Sequence, residues 1–259
     1  MRIIRCSLTV IYAAVVLCGC SHLQGNREVL FQTSTLGALL EGVYDGHTTC
    51  GELKKHGDLG IGTFDALDGE MVVLGGNVYQ VRADGKAYSP KDSLGTPFAV
   101  VTFFEPDKTL VLDSCRDYEE LQEYLDSSLP TKNILYAIRI ESTFNYIKTR
   151  SVPKQNKPYP RLVEVVKNQP TFEFHNVRGT IVGFRLPSYM DGINVPGYHL
   201  HFITEDRTAG GHLLDCSASN VKIEVDYTHA FYMVLPEQSE FYGADMTEKK
   251  QGEVEKVEK

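Results

Sequence analysis

Tyr198-His199-Leu200-His201-Phe202 is the stretch on which the reading of this 259-residue chain turns. In a β-strand successive side chains point to opposite faces. His199 and His201 therefore share one face, while Leu200 and Phe202 enter the layer on the other side. The next segment, Asp206-Arg207-Thr208-Ala209-Gly210-Gly211, has turn chemistry. It places His212 on the antiparallel partner strand, where its ring can swing back toward the pair. Three neutral imidazoles with one position left open are the ligand set of a catalytic zinc ion. A paired His-x-His alone also occurs on solvated faces, so the third histidine behind a glycine turn carries the added weight. His56, His175 and His229 have no partner at ligand spacing and read as surface or hydrogen-bonded side chains, and His22 and His47 give no signal.

The same residues admit other readings. His199-x-His201-xxx-Glu205 resembles the first metal motif of cupins, which would make this an iron or manganese enzyme. The second cupin motif, a Pro-x-Gly followed by His and Asn, is missing downstream, and Glu205 reads as a hairpin surface residue. A non-enzymatic protein that binds or carries zinc through the histidines is a third possibility.

Outward from the hairpin the chain is rich in β-forming residues. Residues 98–104, 110–112, 134–140, 144–152, 171–174, 179–186, 221–225 and 231–235 read as strands. Met71-Val72-Val73-Leu74 and Val78-Tyr79-Gln80-Val81 flank Gly75-Gly76-Asn77 and read as a hairpin. Residues 57–70, with four glycines, read as a looping segment. Leu36, Leu39, Leu40 and Val43 stand at helix spacing behind Thr33-Ser34. A second helix starts at Asp117, with Tyr118, Leu121 and Leu125 on its apolar face and Glu120 in capping-box position. The Pro-rich stretch 153–160 is a connection before a short helix over 161–167. By composition alone, the charged tail from Asp245 is a frayed surface helix. The pattern is a β-rich α+β fold.

With 42% hydrophobic and 23% charged residues the composition is that of a globular protein. A net charge of −8 without a Lys/Arg stripe argues against a nucleic-acid partner. The N-terminus differs from the rest. Arg2 and Arg5 precede a short apolar run over 8–17 and then Leu17-Cys18-Gly19-Cys20, which resembles a bacterial lipobox. The expectation is a signal peptide over 1–20 with a lipid anchor at Cys20, a tether over 21–27 and an exported lipoprotein of the cell envelope. Ser21 favours the outer membrane in a Gram-negative cell. Cys50, Cys115 and Cys216 then remain, as one disulfide and a thiol or as buried free thiols.

Longer motifs narrow the choice. Gly60-Ile61-Gly62-Thr63-Phe64-Asp65-Ala66-Leu67-Asp68-Gly69-Glu70 resembles a segment of the alpha-acetolactate decarboxylase family. So do Lys148-Thr149-Arg150-Ser151-Val152-Pro153-Lys154-Gln155, Asn194-Val195-Pro196-Gly197-Tyr198-His199-Leu200-His201-Phe202-Ile203-Thr204-Glu205-Asp206 and Gly210-Gly211-His212. The similarity runs over residues 30–258, nearly all of the chain behind the lipobox. It implies two α/β-type domains, over 28–140 and 141–259. A mixed N-terminal sheet and an antiparallel C-terminal sheet hold a zinc site between them, and the tail returns to the site. It implies His199, His201 and His212 as zinc ligands, and Glu70, Arg150 and Glu258 as catalytic residues. Thr63 joins Arg150 in binding substrate, and the protein is a homodimer. Among these, Glu258 is the assignment with competitors, since Glu253 and Glu255 stand close by in the same tail.

The implied reaction converts 2-acetolactate to acetoin and carbon dioxide, as in acetoin and butanediol biosynthesis. Losing carbon dioxide pushes electrons toward the adjoining ketone and forms an enediolate. Zinc would act there as a Lewis acid on the hydroxyl and ketone oxygens. Arg150 would fork onto a carboxylate or oxyanion. Glu70 and Glu258 would move the proton that the enediolate carbon needs, and either can touch the metal.

Overall fold

The computed structural model describes residues 27–246 and 252–258; residues 1–26, with the expected signal peptide, Cys20 and nearly all of the tether, lie outside them. The strands are β1 (Val29–Thr33), β2 (Thr48–Thr49), β3 (Leu59–Thr63), β4 (Glu70–Leu74), β5 (Asn77–Val81), β6 (Ala87–Tyr88) and β7 (Gly95–Thr96). They continue with β8 (Ala99–Thr102), β9 (Lys108–Cys115), β10 (Leu135–Arg150), β11 (Thr171–Leu186), β12 (Gly197–Thr204), β13 (Gly210–Thr228) and β14 (Ala230–Val234). The helices are α1 (Leu36–Leu40), α2 (Cys50–Leu53), α3 (Tyr118–Ser128), α4 (Leu162–Val165), α5 (Ser239–Gly243) and α6 (Glu253–Glu258).

A seven-stranded sheet has the order β14-β1-β8-β3-β4-β5-β6. It is mixed, because β1 runs parallel to β14 and antiparallel to β8. The second sheet, β10-β11-β12-β13-β9, is antiparallel, and β10 pairs with β13 as well as β11, so these strands curl back on themselves. The mixed and antiparallel sheets are the pair expected. The chain does not divide between them at 140/141, however. That point lies inside β10, which runs unbroken through the polar Glu141-Ser142-Thr143 because a bulge against β13 absorbs the irregularity. β9 comes from the first half of the chain and joins the second sheet, and β14 from the second half joins the first.

Local chemistry accounts for most elements. Gly75 and Gly76 take φ of 58° and 75° between β4 and β5, as a two-residue hairpin turn requires. Thr35 caps α1 by accepting from the Ala38 amide, and Asp117 caps α3 by accepting from the Glu120 amide. Glu120 accepts in turn from the Arg116 amide, one residue before the position a capping box uses. The expected loop over 57–70 is corrected: Leu59–Thr63 is the strand β3. Its glycines mark close approach rather than a turn. A Cβ on Gly60 would stand 2.3 Å from the Val100 carbonyl oxygen, and one on Gly62 would stand 2.5 Å from that of Phe98.

Alternation along the strands sorts residues into layers. Val72 of β4 joins Leu30, Ile61 and Val100 in the cluster that also holds Val182, Phe184 and Ile203 of the second sheet. Met71 and Val73 face the other way, toward Leu53 of α2. Leu200 and Phe202 of β12 pack with Leu121 and Leu125 of α3. Glu70 therefore shares the face of Val72, and His199 and His201 share the face of Ile203. Cys50, Cys115 and Cys216 are buried and free, which settles their two readings in favour of thiols. Among the described residues no helix is long and apolar enough to cross a membrane.

Candidate active site

The turn between β12 and β13 fixes the register of the histidines. Thr204 Oγ1 donates to Asp206 Oδ1 at 2.7 Å and accepts from the Thr208 and Ala209 amides at 3.2 Å. Tied in this way, the hairpin sets His201 directly opposite His212. The three rings stand with centroids 5.0–5.3 Å apart, and one nitrogen from each lies within 4.8 Å of the other two. His199 Nε2 and His201 Nε2 are 3.2 Å apart. With zinc–nitrogen bonds near 2.0–2.1 Å, the edge of a tetrahedral site is about 3.3 Å, so the spacing suits two ligands of one ion.

Backbone and burial set the state of the rings. His201 Nδ1 donates to the Met71 carbonyl at 2.7 Å, which leaves the lone pair on Nε2, toward His199. His201 is fully buried, and His212 and His199 nearly so. Burial, helped by the positive charge of Arg150, pushes the His199 pKa down to about 3. Burial first, then His199 and Arg150, hold His201 well below its ordinary value. Both rings are neutral at neutral pH, which is the ligand form.

Glu70 and Arg150 meet beside the rings. Arg150 ends β10 opposite His212. Its Nη1 donates to Glu70 Oε1 at 3.2 Å, and its Nη2 donates to the Val257 carbonyl at 2.7 Å. Glu70 Oε2 is 3.6 Å from His201 Nε2. The Arg150 and Glu70 side chains are 4% and 8% exposed, so this is a buried ion pair, a costly arrangement unless each group is well partnered.

The turn that delivers Glu70 is unusual in its backbone. Ala66 and Leu67 both have φ of 58°, a conformation that costs non-glycine residues about 1–3 kcal/mol each. Hydrogen bonds hold it there: Ala66 N to the Tyr44 carbonyl, Gln155 N to the Ala66 carbonyl, and Gln80 Nε2 to the Asp68 carbonyl. Thr63, paired with Glu70 across β3 and β4, donates its hydroxyl to the Gly69 carbonyl at 2.7 Å. Thr63 thus stands beside Glu70 and braces its turn.

The tail is not a frayed surface helix. In α6, Val257 is buried with Leu162 and Val165 of α4, in addition to receiving Arg150 on its carbonyl. Glu258 ends α6, and its side chain lies outside the described residues. Glu205 is exposed and pairs with Arg178 at 3.3 Å, away from the three rings, which removes the cupin ligand set. His56 stacks on Phe31, His175 packs on Tyr146, and His229 and His47 are hydrogen-bonded elsewhere. Sequence reading did not find the Met71 and Val257 carbonyls. Every residue carries such a group, so only the fold could pick these two out.

Fold and site together define a class: a β-rich protein whose buried histidine triad can hold a metal ion beside an ionic Glu–Arg pair. Comparison with known proteins narrows this. The sequence model of the alpha-acetolactate decarboxylase family matches residues 30–248. The alpha-acetolactate decarboxylase of Methanosarcina mazei is 51% identical over 90% of this chain and 81% of its own. That of Methylococcus capsulatus is 51% identical over 84% of each. The crystal structure of alpha-acetolactate decarboxylase from Bacillus subtilis strain 168 superposes with a TM-score of 0.87 at 42% identity, covering 89% of this chain and 99% of that one. The chain belongs to the alpha-acetolactate decarboxylase family, a family of carboxy-lyases.

Proposed function

We propose that this protein decarboxylates 2-acetolactate to acetoin and carbon dioxide with a zinc ion held by His199, His201 and His212 in the layer between the two sheets. The observation that carries the reading is the triad itself: three buried imidazoles at ligand spacing, with Glu70 and Arg150 against them. The all-nitrogen donor set and the 3.2 Å edge suit zinc. When bound, zinc supplies Lewis acidity against the negative charge that develops as carbon dioxide leaves.

The chain's own groups do the rest. Arg150 binds the substrate carboxylate or the developing oxyanion. Nη1 and Nη2 each donate once, to Glu70 and Val257, and its buried Nε has no acceptor among the described residues, so Nε and the second hydrogens of Nη1 and Nη2 are donors for substrate. Glu70, 3.6 Å from His201, and Glu258, at the end of α6, are the carboxyl groups for proton transfer to the enediolate carbon. Thr63 forms the wall beside Glu70. The burial of Glu70 and the three rings favours protonation of the carbon by a held carboxyl group over protonation by bulk solvent.

The test is a colorimetric acetoin assay on the purified chain fed 2-acetolactate. The expected result is acetoin formation that a chelator stops and added zinc restores. Folded, zinc-loaded protein that makes no acetoin rejects the proposal. Two further proposals rest on the N-terminal motif and the family. The first is a lipoprotein of the cell envelope anchored at Cys20; Cys20→Ala should abolish lipid attachment, and unprocessed protein in the cytoplasm would reject export. The second is a homodimer, for which light scattering should give twice the chain mass.

A further inference from the structure

Six residues of helix are too few to hold a position in water unaided, so the placement of α6 must come from what it touches. Its apolar side is seated by α4: Val254 and Val257 lie in the same cluster as Leu162 and Val165. Its polar side is tied by Arg161, the residue immediately before α4. Arg161 Nη2 donates to Glu253 Oε2, at the first residue of α6, at 2.7 Å, and to Glu41 Oε1, at the end of α1, at 2.8 Å. One guanidinium nitrogen thus joins the tail helix to the body. The Glu41 and Glu253 carboxylates are 15% and 20% exposed, shielded enough for the geometry to be held.

The other end of α6 touches the site. The Val257 carbonyl accepts from Arg150 Nη2, and Arg150 Nη1 donates to Glu70. A continuous set of contacts therefore runs from Arg161 through Glu253 and about one turn of helix to the guanidinium against Glu70.

We propose that Arg161 is a positioning residue for the reaction: by clasping Glu253 to Glu41 it fixes α6, and through the Val257 carbonyl it fixes the orientation of Arg150. The role of Arg150 in this statement rests on the decarboxylase reading above. The clasp itself does not. Arg161 Nη2 donates to Glu41 and Glu253, and its buried Nε has no acceptor among the described residues, so the contacts that lead from it toward the site run through α6.

The experiment uses the full, zinc-loaded chain in four forms: wild type, Arg161→Gln, Glu253→Gln and the charge swap Arg161→Glu with Glu253→Arg. Two readouts are taken, amide hydrogen exchange over residues 253–258 and kcat and KM for acetoin formation. Each single variant should speed exchange in 253–258 and leave exchange in β10 to β13 unchanged. Each should lower kcat roughly fivefold with a smaller change in KM, the scale expected of partly exposed ion pairs. The swap moves the guanidinium to the start of α6, within reach of Glu41 and of the carboxylate newly placed before α4, and it should restore both readouts. Wild-type exchange over 253–258 in both single variants overturns the clasp. Faster exchange with unchanged kcat, or a swap that restores neither readout, overturns the positioning role. A wild-type chain that makes no acetoin sinks the decarboxylase reading instead, and the exchange result then decides the clasp by itself.

Discussion

The two halves of the site are built in opposite ways. His199, His201 and His212 come from one hairpin, and their geometry is set by strand alternation and one turn. Arg150 meets Glu70 from 80 residues away in sequence and Val257 from 107. The first half is local, so its three rings come together as soon as β12 and β13 pair, and only the orientation of His201 waits for the Met71 carbonyl of β4. The second exists only when β4, the end of β10 and α6 have all been brought together. The difference teaches where each half is fragile: the histidines through their chemistry, the Glu–Arg–tail assembly through its distant supports.

Substitutions can break this contrast or sharpen it. The largest effect belongs to His201→Ala, which removes one ring of the triad that can hold a metal. Metal content after gel filtration should fall to background, and acetoin formation should drop at least about a thousandfold, the loss of several kcal/mol of charge stabilisation. A variant that keeps its metal and its rate removes the triad from the mechanism. Next is Arg150→Lys. Lysine keeps the charge but lacks the planar fork whose separate nitrogens reach Glu70, Val257 and substrate at the same time. Turnover should fall about a hundredfold with metal content unchanged. Metal loss in this variant would show that the two halves are not separable.

The pH response probes the local half without mutation. With chelator present, the unfolded His199 imidazole titrates near 6.5 and the folded one near 3. Between those values the unfolded chain binds the additional proton. The stability tied to the neutral ring is therefore whole above pH 6.5 and is lost as pH falls toward 3. Denaturant unfolding should show about 2 kcal/mol less stability at pH 5 than at pH 8 from this ring, with His201 adding in the same direction. Stability that is flat over this range would contradict the buried neutral ring. The smallest effect is expected from Val257→Ala. It trims the apolar seat of α6 by about 1 kcal/mol and leaves the carbonyl in place. Turnover should fall a few-fold at most, with faster amide exchange confined to 253–258. A loss as large as that of Arg150→Lys would mean that the tail carries more than position.

The two halves were also unequally legible. The His-x-His pair and the third histidine behind Gly210-Gly211 could be read from alternation and turn chemistry alone, and so could the Gly75-Gly76 hairpin and the capped α3. Glu70 and Arg150 came forward only through long motifs shared with a family, because a lone Glu after a turn and a lone Arg on a strand look like ordinary surface residues. The glycines of β3 misled: without β8 beside them, nothing in the residues distinguishes close strand packing from a loop. The tail misled in the same way, since its charges dominate its composition while one valine, Val257, determines where it goes.

By itself, then, the sequence determined what depends on neighbours in the chain: the strand faces, the turns, the caps and the triad that one hairpin assembles. Tertiary structure alone decided which carbonyl orients His201, which partner neutralises Arg150 and where α6 docks. Those contacts join backbone groups that every residue carries, and only their placement in three dimensions makes one of them different from the rest.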